Sequence, residues 1–171
     1  MIEGFAEIKP EEITNNPFKL IGADYMLITA GTLKSYNTMT ASWGGFGVLW
    51  NKNIAICFVR PQRYTYQFLE NSDCFTLSFF DERYGKVLDY CGTKSGRDVN
   101  KALECGLTPI ESSQKSVFFR QARLIIECRK LYFQDLDESS FLDKSMLKFY
   151  PKKDYHRMYV GEIVKCLIEN P

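Results

Sequence analysis

The amino-acid sequence predicts a mostly β, α+β domain of barrel-like form. Six short runs are rich in β-branched and aromatic residues, and only a few short helical stretches lie between them. No linker, repeat or low-complexity tract divides the chain, so one domain over residues 1–171 is expected. Many short strands with few helices argue against a doubly wound parallel sheet.

Residues 25–31 (Y-M-L-I-T-A-G) form the first expected strand, ending on a glycine. Residues 37–43 (N-T-M-T-A-S-W) form the second. Residues 53–59 form the third, apolar enough to be buried on both faces, with 51–53 (N-K-N) as the turn before it. Residues 74–80 make a fourth strand, 122–133 a long fifth and 155–166 a sixth. A helix over 64–71 follows Pro61, with Tyr64, Phe68 and Leu69 on one side. Further helices are expected over 84–90 and over 99–105, the last stopped by Gly106 and Pro109.

Composition narrows the function classes. Hydrophobic residues at 45% and charged residues at 25% are ordinary for a globular protein, and a net charge of +1 gives no reason to expect nucleic acid or an anionic membrane as partner. The aromatic share of 15% suits a thick β-core or a site that stacks flat rings. Six scattered cysteines include no C-x-x-C pair, hence no zinc, iron–sulfur or dithiol signature. They read as reduced thiols, Cys57 among them as a small buried hydrophobe. The N-terminal residues show no basic-then-apolar leader, and no apolar run is long enough to span a bilayer. A cytoplasmic protein is expected.

Two glycine clusters fail as nucleotide motifs. Residues 45–50 (G-F-G-V-L-W) begin like a dinucleotide fingerprint but carry tryptophan at the third glycine position, and no βαβ context follows. Residues 92–95 (G-T-K-S) lack the spacing of a phosphate loop.

Chemistry concentrates at two strand ends. Arg60 closes the third strand and Arg63 follows on the turn made by Pro61. Two neighbouring guanidinium groups repel unless an anion or carboxylates stand between them, and a phosphate accepts their paired hydrogen bonds well. Thr65, near a helix start, adds a hydroxyl. Two readings stand: an anion site, or two solvated arginines each with its own carboxylate. Thr40 and Ser42 bring hydroxyls beside the small Ala41, either for a ligand face or as ordinary strand-end residues. The single histidine, His156, excludes a histidine-based metal site and by itself reads as structural.

Taken together, these segments resemble the flavin reductase-like family of FMN-binding split β-barrel proteins, in the branch that includes flavoredoxin. Residues 37–43, 59–65 (V-R-P-Q-R-Y-T), 75–80 (F-T-L-S-F-F), 92–101 (G-T-K-S-G-R-D-V-N-K), 124–132 and 154–162 (D-Y-H-R-M-Y-V-G-E) carry the resemblance, in family order. It implies an FMN-binding split β-barrel with a few short peripheral helices, and a homodimer with FMN near the subunit interface. Thr40, Ala41, Ser42 and Trp43 would line the isoalloxazine and ribityl chain, with Asn37 and Met39 as further cofactor-binding residues. Arg60, Arg63, Tyr64 and Thr65 would take the phosphate end, with Ser95 and Lys101 as further phosphate or ribityl contacts from this subunit or its partner. His156 matches the histidine of a Gly-Asp-His motif associated with nicotinamide binding, although here the Asp–His pair is split by Tyr155. The implied activity is an oxidoreductase, either a flavin reductase using NAD(P)H as transient co-substrate or a flavoredoxin-like carrier. A small molecule or a protein would serve as electron donor or acceptor.

Overall fold

Ten strands, four short α-helices and four 3-10 turns are present in the computed structural model, which describes residues 2–170. One antiparallel path runs in the order β3 (Ser35–Ala41), β2 (Met26–Thr32), β6 (Cys74–Phe79), β9 (Leu124–Asp135), β10 (Arg157–Glu169), β5 (Lys52–Val59) and β4 (Gly44–Leu49). β10 organises it. One edge of β10 follows β9, while the other pairs first with β5 through residues 157–162 and then with β1 (Phe5–Ile8) through 166–169. Irregularities at Val160/Gly161 and Ile163/Lys165 interrupt the β9–β10 register, and such bulges bend a sheet toward closure. The two ends of the path, β3 and β4, are joined by Ser42 and Trp43 alone. The sheet therefore curls until its edges meet at that link without pairing. This is a split barrel.

The core has two layers. Inside lie Met26, Ile28, Phe75, Leu77, Ile126 and Tyr159. Outside, Leu27 and Ile125 meet Leu88, Ala102, Phe118 and Phe119. Those last four residues come from α3 (Gly85–Thr93), α4 (Lys101–Glu104) and the small hairpin of β7 (Pro109–Glu111) and β8 (Val117–Phe119). β2 is consequently buried on both faces over residues 26–30, as the consecutive apolar Met26, Leu27 and Ile28 require. Its buried polar side chain, Thr29, is satisfied by a 2.9 Å hydroxyl contact with Thr38.

All six expected strands are present, with ends displaced by at most three residues. The expected helices are found as α2 (Tyr64–Glu70), α3 and α4, the last shortened because the Asn100 side chain caps it by accepting from Leu103 N–H at 3.1 Å. Three expectations need correction. Complete burial of residues 53–59 is not observed, because outward-facing Ile56 and Phe58 are only half-buried. The turn lies one residue earlier than expected: Leu49 pairs with Lys52, and Trp50 and Asn51 both adopt left-handed φ of 52° and 55°. The glycine-rich 45–50 segment lies largely in β4, an edge strand bonded only to β5.

A helix missing from the sequence reading, α1 (Pro17–Gly22), had its signal in plain view. Asn16 accepts from the backbone N–H of Phe18 and Lys19, and Pro17 occupies the first helical position.

Gly31 sits at the β2–β3 hairpin with φ of +107°, and a Cβ there would stand 2.3 Å from Ser35 O. Gly31→Ala is expected to destabilise the fold by about 2 kcal/mol, lowering Tm by about 4–8 °C in a thermal melt.

Candidate functional site

Where the barrel splits, a cleft of about 240 Å³ opens. Met39, Thr40 and Ala41 from the end of β3 form one side, with Ser42 and Trp43 from the link. Phe58 and Arg60 come from the end of β5, Arg63 from the start of α2, Gly92 from α3 and His156 from the residue before β10. Two neighbouring strand ends and one unpaired edge thus bring together residues far apart in sequence.

The hydroxyls differ in availability. Thr40 donates to Leu88 O at 2.5 Å, which fastens β3 to α3. The Ser42 hydroxyl has no hydrogen-bond partner among the described residues, so it remains available to a ligand. Gly92 eases this approach: a Cβ there would lie 3.3 Å from Thr40 Cβ, so the threonine side chain would have to give by a few tenths of an ångström.

The two arginines, indistinguishable in sequence, have different surroundings. Arg60 is paired with Asp154 at 2.6 Å, donates to Phe149 O at 2.8 Å and lies over the Tyr150 ring at 5.2 Å. Gln62 holds the same Asp154 oxygen at 2.5 Å. Arg63 donates to Gly92 O at 2.7 Å and has no carboxylate in ion-pair range among the described residues. Burial, and then the neighbouring Arg60 charge, lower its pKa. Arg60 therefore matches the paired reading, while Arg63 is a half-buried cation whose charge lacks a counterion.

His156 is buried, with Nδ1 2.8 Å from the Tyr150 hydroxyl. Its ring centroid lies 5.0 Å from that of Trp43. Desolvation, reinforced by Arg60 and opposed by Asp154, pushes its pKa down to about 4, so the imidazole is neutral at pH 7. Trp43, 42% exposed, also meets Phe149 edge-on at 5.7 Å, which puts two aromatic side chains at the mouth.

The other sequence-predicted residues lie elsewhere. Asn37, Tyr64 and Lys101 line a second cleft of about 460 Å³, farther back along β3. There Arg97 stacks over Tyr64 at 4.7 Å. Asn37 donates to the hydroxyl of Thr65 at 2.7 Å, and Thr65 is buried behind it, outside both clefts. Lys101 turns inward and donates to Thr38 O and Cys91 O, each at 2.8 Å. Ser95 lies outside both clefts and accepts from Arg97 N–H at 3.2 Å. Sequence reasoning missed Phe58, Tyr150 and Asp154. Of these, Phe58 had a signal, since it alternates with the inward-facing Cys57 and Val59.

Among the described residues, no helix is long and apolar enough to cross a membrane. A comparison with curated proteins finds no significant match. Among solved structures, an FMN-binding domain of a flavin reductases-like enzyme from Shewanella baltica superposes with a TM-score of 0.70 at 16% identity, covering 96% of this chain and 77% of that one. Flavoredoxin of Desulfovibrio vulgaris gives 0.69 at 19% identity, with 95% and 78% covered. Flavoredoxin from Methanosarcina acetivorans gives 0.67 at 22%, with 86% and 69% covered. At these identities the likeness establishes the shared split-barrel fold. A sequence profile described as flavin reductase like domain matches residues 18–171, nearly the whole chain, and the protein belongs to that family.

Proposed function

We propose that this protein binds FMN at the split of the barrel and uses it as an NAD(P)H-dependent flavin reductase, passing the electrons to a second acceptor. The observation that carries this reading is Arg63, a half-buried cation with no carboxylate partner among the described residues, lining one cleft with the Ser42 hydroxyl, which is likewise unbonded among them, and the exposed Trp43 ring. That donor set fits FMN: the phosphate carries about −1.5 to −2 charges near neutrality, and the aromatic edge suits a flat ring. When bound, FMN supplies acceptance of a hydride and its release as single electrons. Arg63 holds the anionic end, and the hydroxyl and backbone groups of residues 40–43 orient the ring. Trp43 and Phe58 keep water from one side.

At about 240 Å³ the cleft falls below the roughly 300–1,000 Å³ usual for ligand pockets. Part of the cofactor then lies outside this chain's own walls, which supports a homodimer with the partner covering it. Light scattering with and without FMN tests this; a monomer in both conditions removes the dimer.

NAD(P)H would bind transiently in the open mouth beside His156. The purified protein is expected to be yellow, or to become so with added FMN, and its flavin absorbance to bleach on anaerobic mixing with NADH or NADPH. A flavoredoxin-like carrier is the second reading, favoured by the exposed Trp43 and Phe149 at the mouth, which give a protein donor an apolar surface to meet. Bleaching by a reduced ferredoxin-type protein but by neither nicotinamide would select it.

A further inference from the structure

We propose that Tyr150 is a positioning residue of this site: its hydroxyl, bonded to Nδ1 of His156, fixes the imidazole in the Nε2–H form. His156 then offers a hydrogen-bond donor, not a base, to an oxygen acceptor held in the cleft. This deepens the reading of the cleft given above and depends on it for the ligand, but not for the state of the imidazole.

The argument starts from hydrogen-bond capacity. Tyr150 is buried, and its hydroxyl has one recorded partner among the described residues, His156 Nδ1 at 2.8 Å. If Nδ1 carried the ring proton, it would donate to the tyrosine oxygen and leave a buried O–H with no acceptor, a costly arrangement. If the tyrosine donates, both groups are satisfied and the single proton of the neutral ring lies on Nε2. Nε2 has no partner among the described residues, while the His156 side chain lines the cleft.

Both residues are held in place. The rings of Tyr155 and Phe141 pack on Tyr150 at 4.9 and 5.8 Å, and the Arg60 guanidinium covers it at 5.2 Å. The backbone carbonyl of His156 accepts from Leu136 N–H at 2.9 Å, and Trp43 and Phe58 flank the imidazole.

The charged groups that act on the ring are Arg60 from the end of β5 and Asp154 from its own segment; Arg63, from the start of α2, lines the same cleft. Burial first, and the Arg60 charge second, oppose protonation. Asp154 favours it, but one of its oxygens is already engaged by Arg60 and Gln62. The ring therefore stays neutral through the physiological range, and its donor is not switched by pH. The acceptor it suits is a carbonyl or carboxamide oxygen on a flat ring, a chemistry shared by the flavin and by nicotinamide.

A chain with one histidine allows a direct test. In long-range ¹⁵N–¹H spectra of the cofactor-free protein, Nε2 is expected at the shift of a protonated nitrogen and Nδ1 at that of an unprotonated one, both flat between pH 5 and 8. Tyr150→Phe is expected to lower the preference for the Nε2–H form about two- to tenfold, moving both shifts toward each other. A wild-type Nδ1–H ring, an imidazolium at pH 7, or an unchanged ring in Tyr150→Phe overturns the proposal. Addition of FMN, and separately of NAD⁺, identifies the acceptor by which of them perturbs Nε2–H; no perturbation by either, with FMN bound, overturns the donor role. Absence of FMN binding removes the cofactor reading and leaves the tyrosine–histidine result standing.

Discussion

Arg63→Ala is expected to weaken FMN binding by about ten- to a hundredfold while leaving riboflavin binding nearly unchanged. A hydrogen bond to a charged group contributes roughly 1.5–3 kcal/mol, and its loss falls on the phosphate, which riboflavin lacks. Arg63 is chosen over Arg60 because its charge is not already paired: its one recorded partner is the neutral carbonyl of Gly92. Arg60→Ala is expected to behave differently. It removes the pair with Asp154 and the bond to Phe149 O, and it leaves a carboxylate whose Oδ1 is already without a partner. The wall formed by residues 149–156 then loosens, and FMN and riboflavin lose affinity together. Fluorescence titration of both flavins against both variants separates the cases. Equal losses of FMN and riboflavin in Arg63→Ala would place the phosphate elsewhere.

That contrast marks how far the sequence could be read. The adjacency of Arg60 and Arg63 was visible, and so was the choice between an anion site and carboxylate pairing. Which arginine takes which role depends on Asp154, which is brought to Arg60 only by the chain's return into β10. No local pattern records that contact. The same limit hid Tyr150, which is brought back onto His156 by an irregular stretch, residues 151–156, that has no periodic pattern to read. Residues 39–43 were legible as a group because they are contiguous at the end of one strand. Thr65 shows a different limit: its position near a helix start was legible, but the bond its hydroxyl accepts from Asn37 across the β3–α2 contact was not. In the fold, apolar strands such as β2 were plain from their runs. β4 was obscured by three glycines, which have low β propensity and hold a strand only because β5 supplies the register.

Lys101→Met is expected to lose stability relative to the wild type by an amount that grows as pH rises from 8 to 10. Lys101 is 5% exposed and joins β3 to α3 through the carbonyls of Thr38 and Cys91. Burial is the main cause that pushes its amine down to about 8 from 10.5. The folded state thus binds this proton less tightly than the unfolded chain. Below pH 8 folding carries the whole cost of burying the ammonium. Between pH 8 and 10.5 the folded protein sheds the proton while the unfolded chain keeps it, so this contribution to stability rises with pH, by on the order of 3 kcal/mol in all. The neutral amine still has two N–H groups, one for each carbonyl. The buried Cys57 and Cys166 thiols, held up at about 12, act in the opposite sense over the same range, so the wild-type curve alone is uninformative. Subtracting the Lys101→Met curve cancels them. Urea unfolding of both proteins at pH 7.5, 9 and 10 gives the difference directly; a constant gap would mean that the amine is solvated. The same variant decides what Lys101 does for the cofactor. As a tie between β3 and the helix bearing Gly92, its loss weakens FMN and riboflavin alike, whereas a phosphate contact would weaken FMN alone.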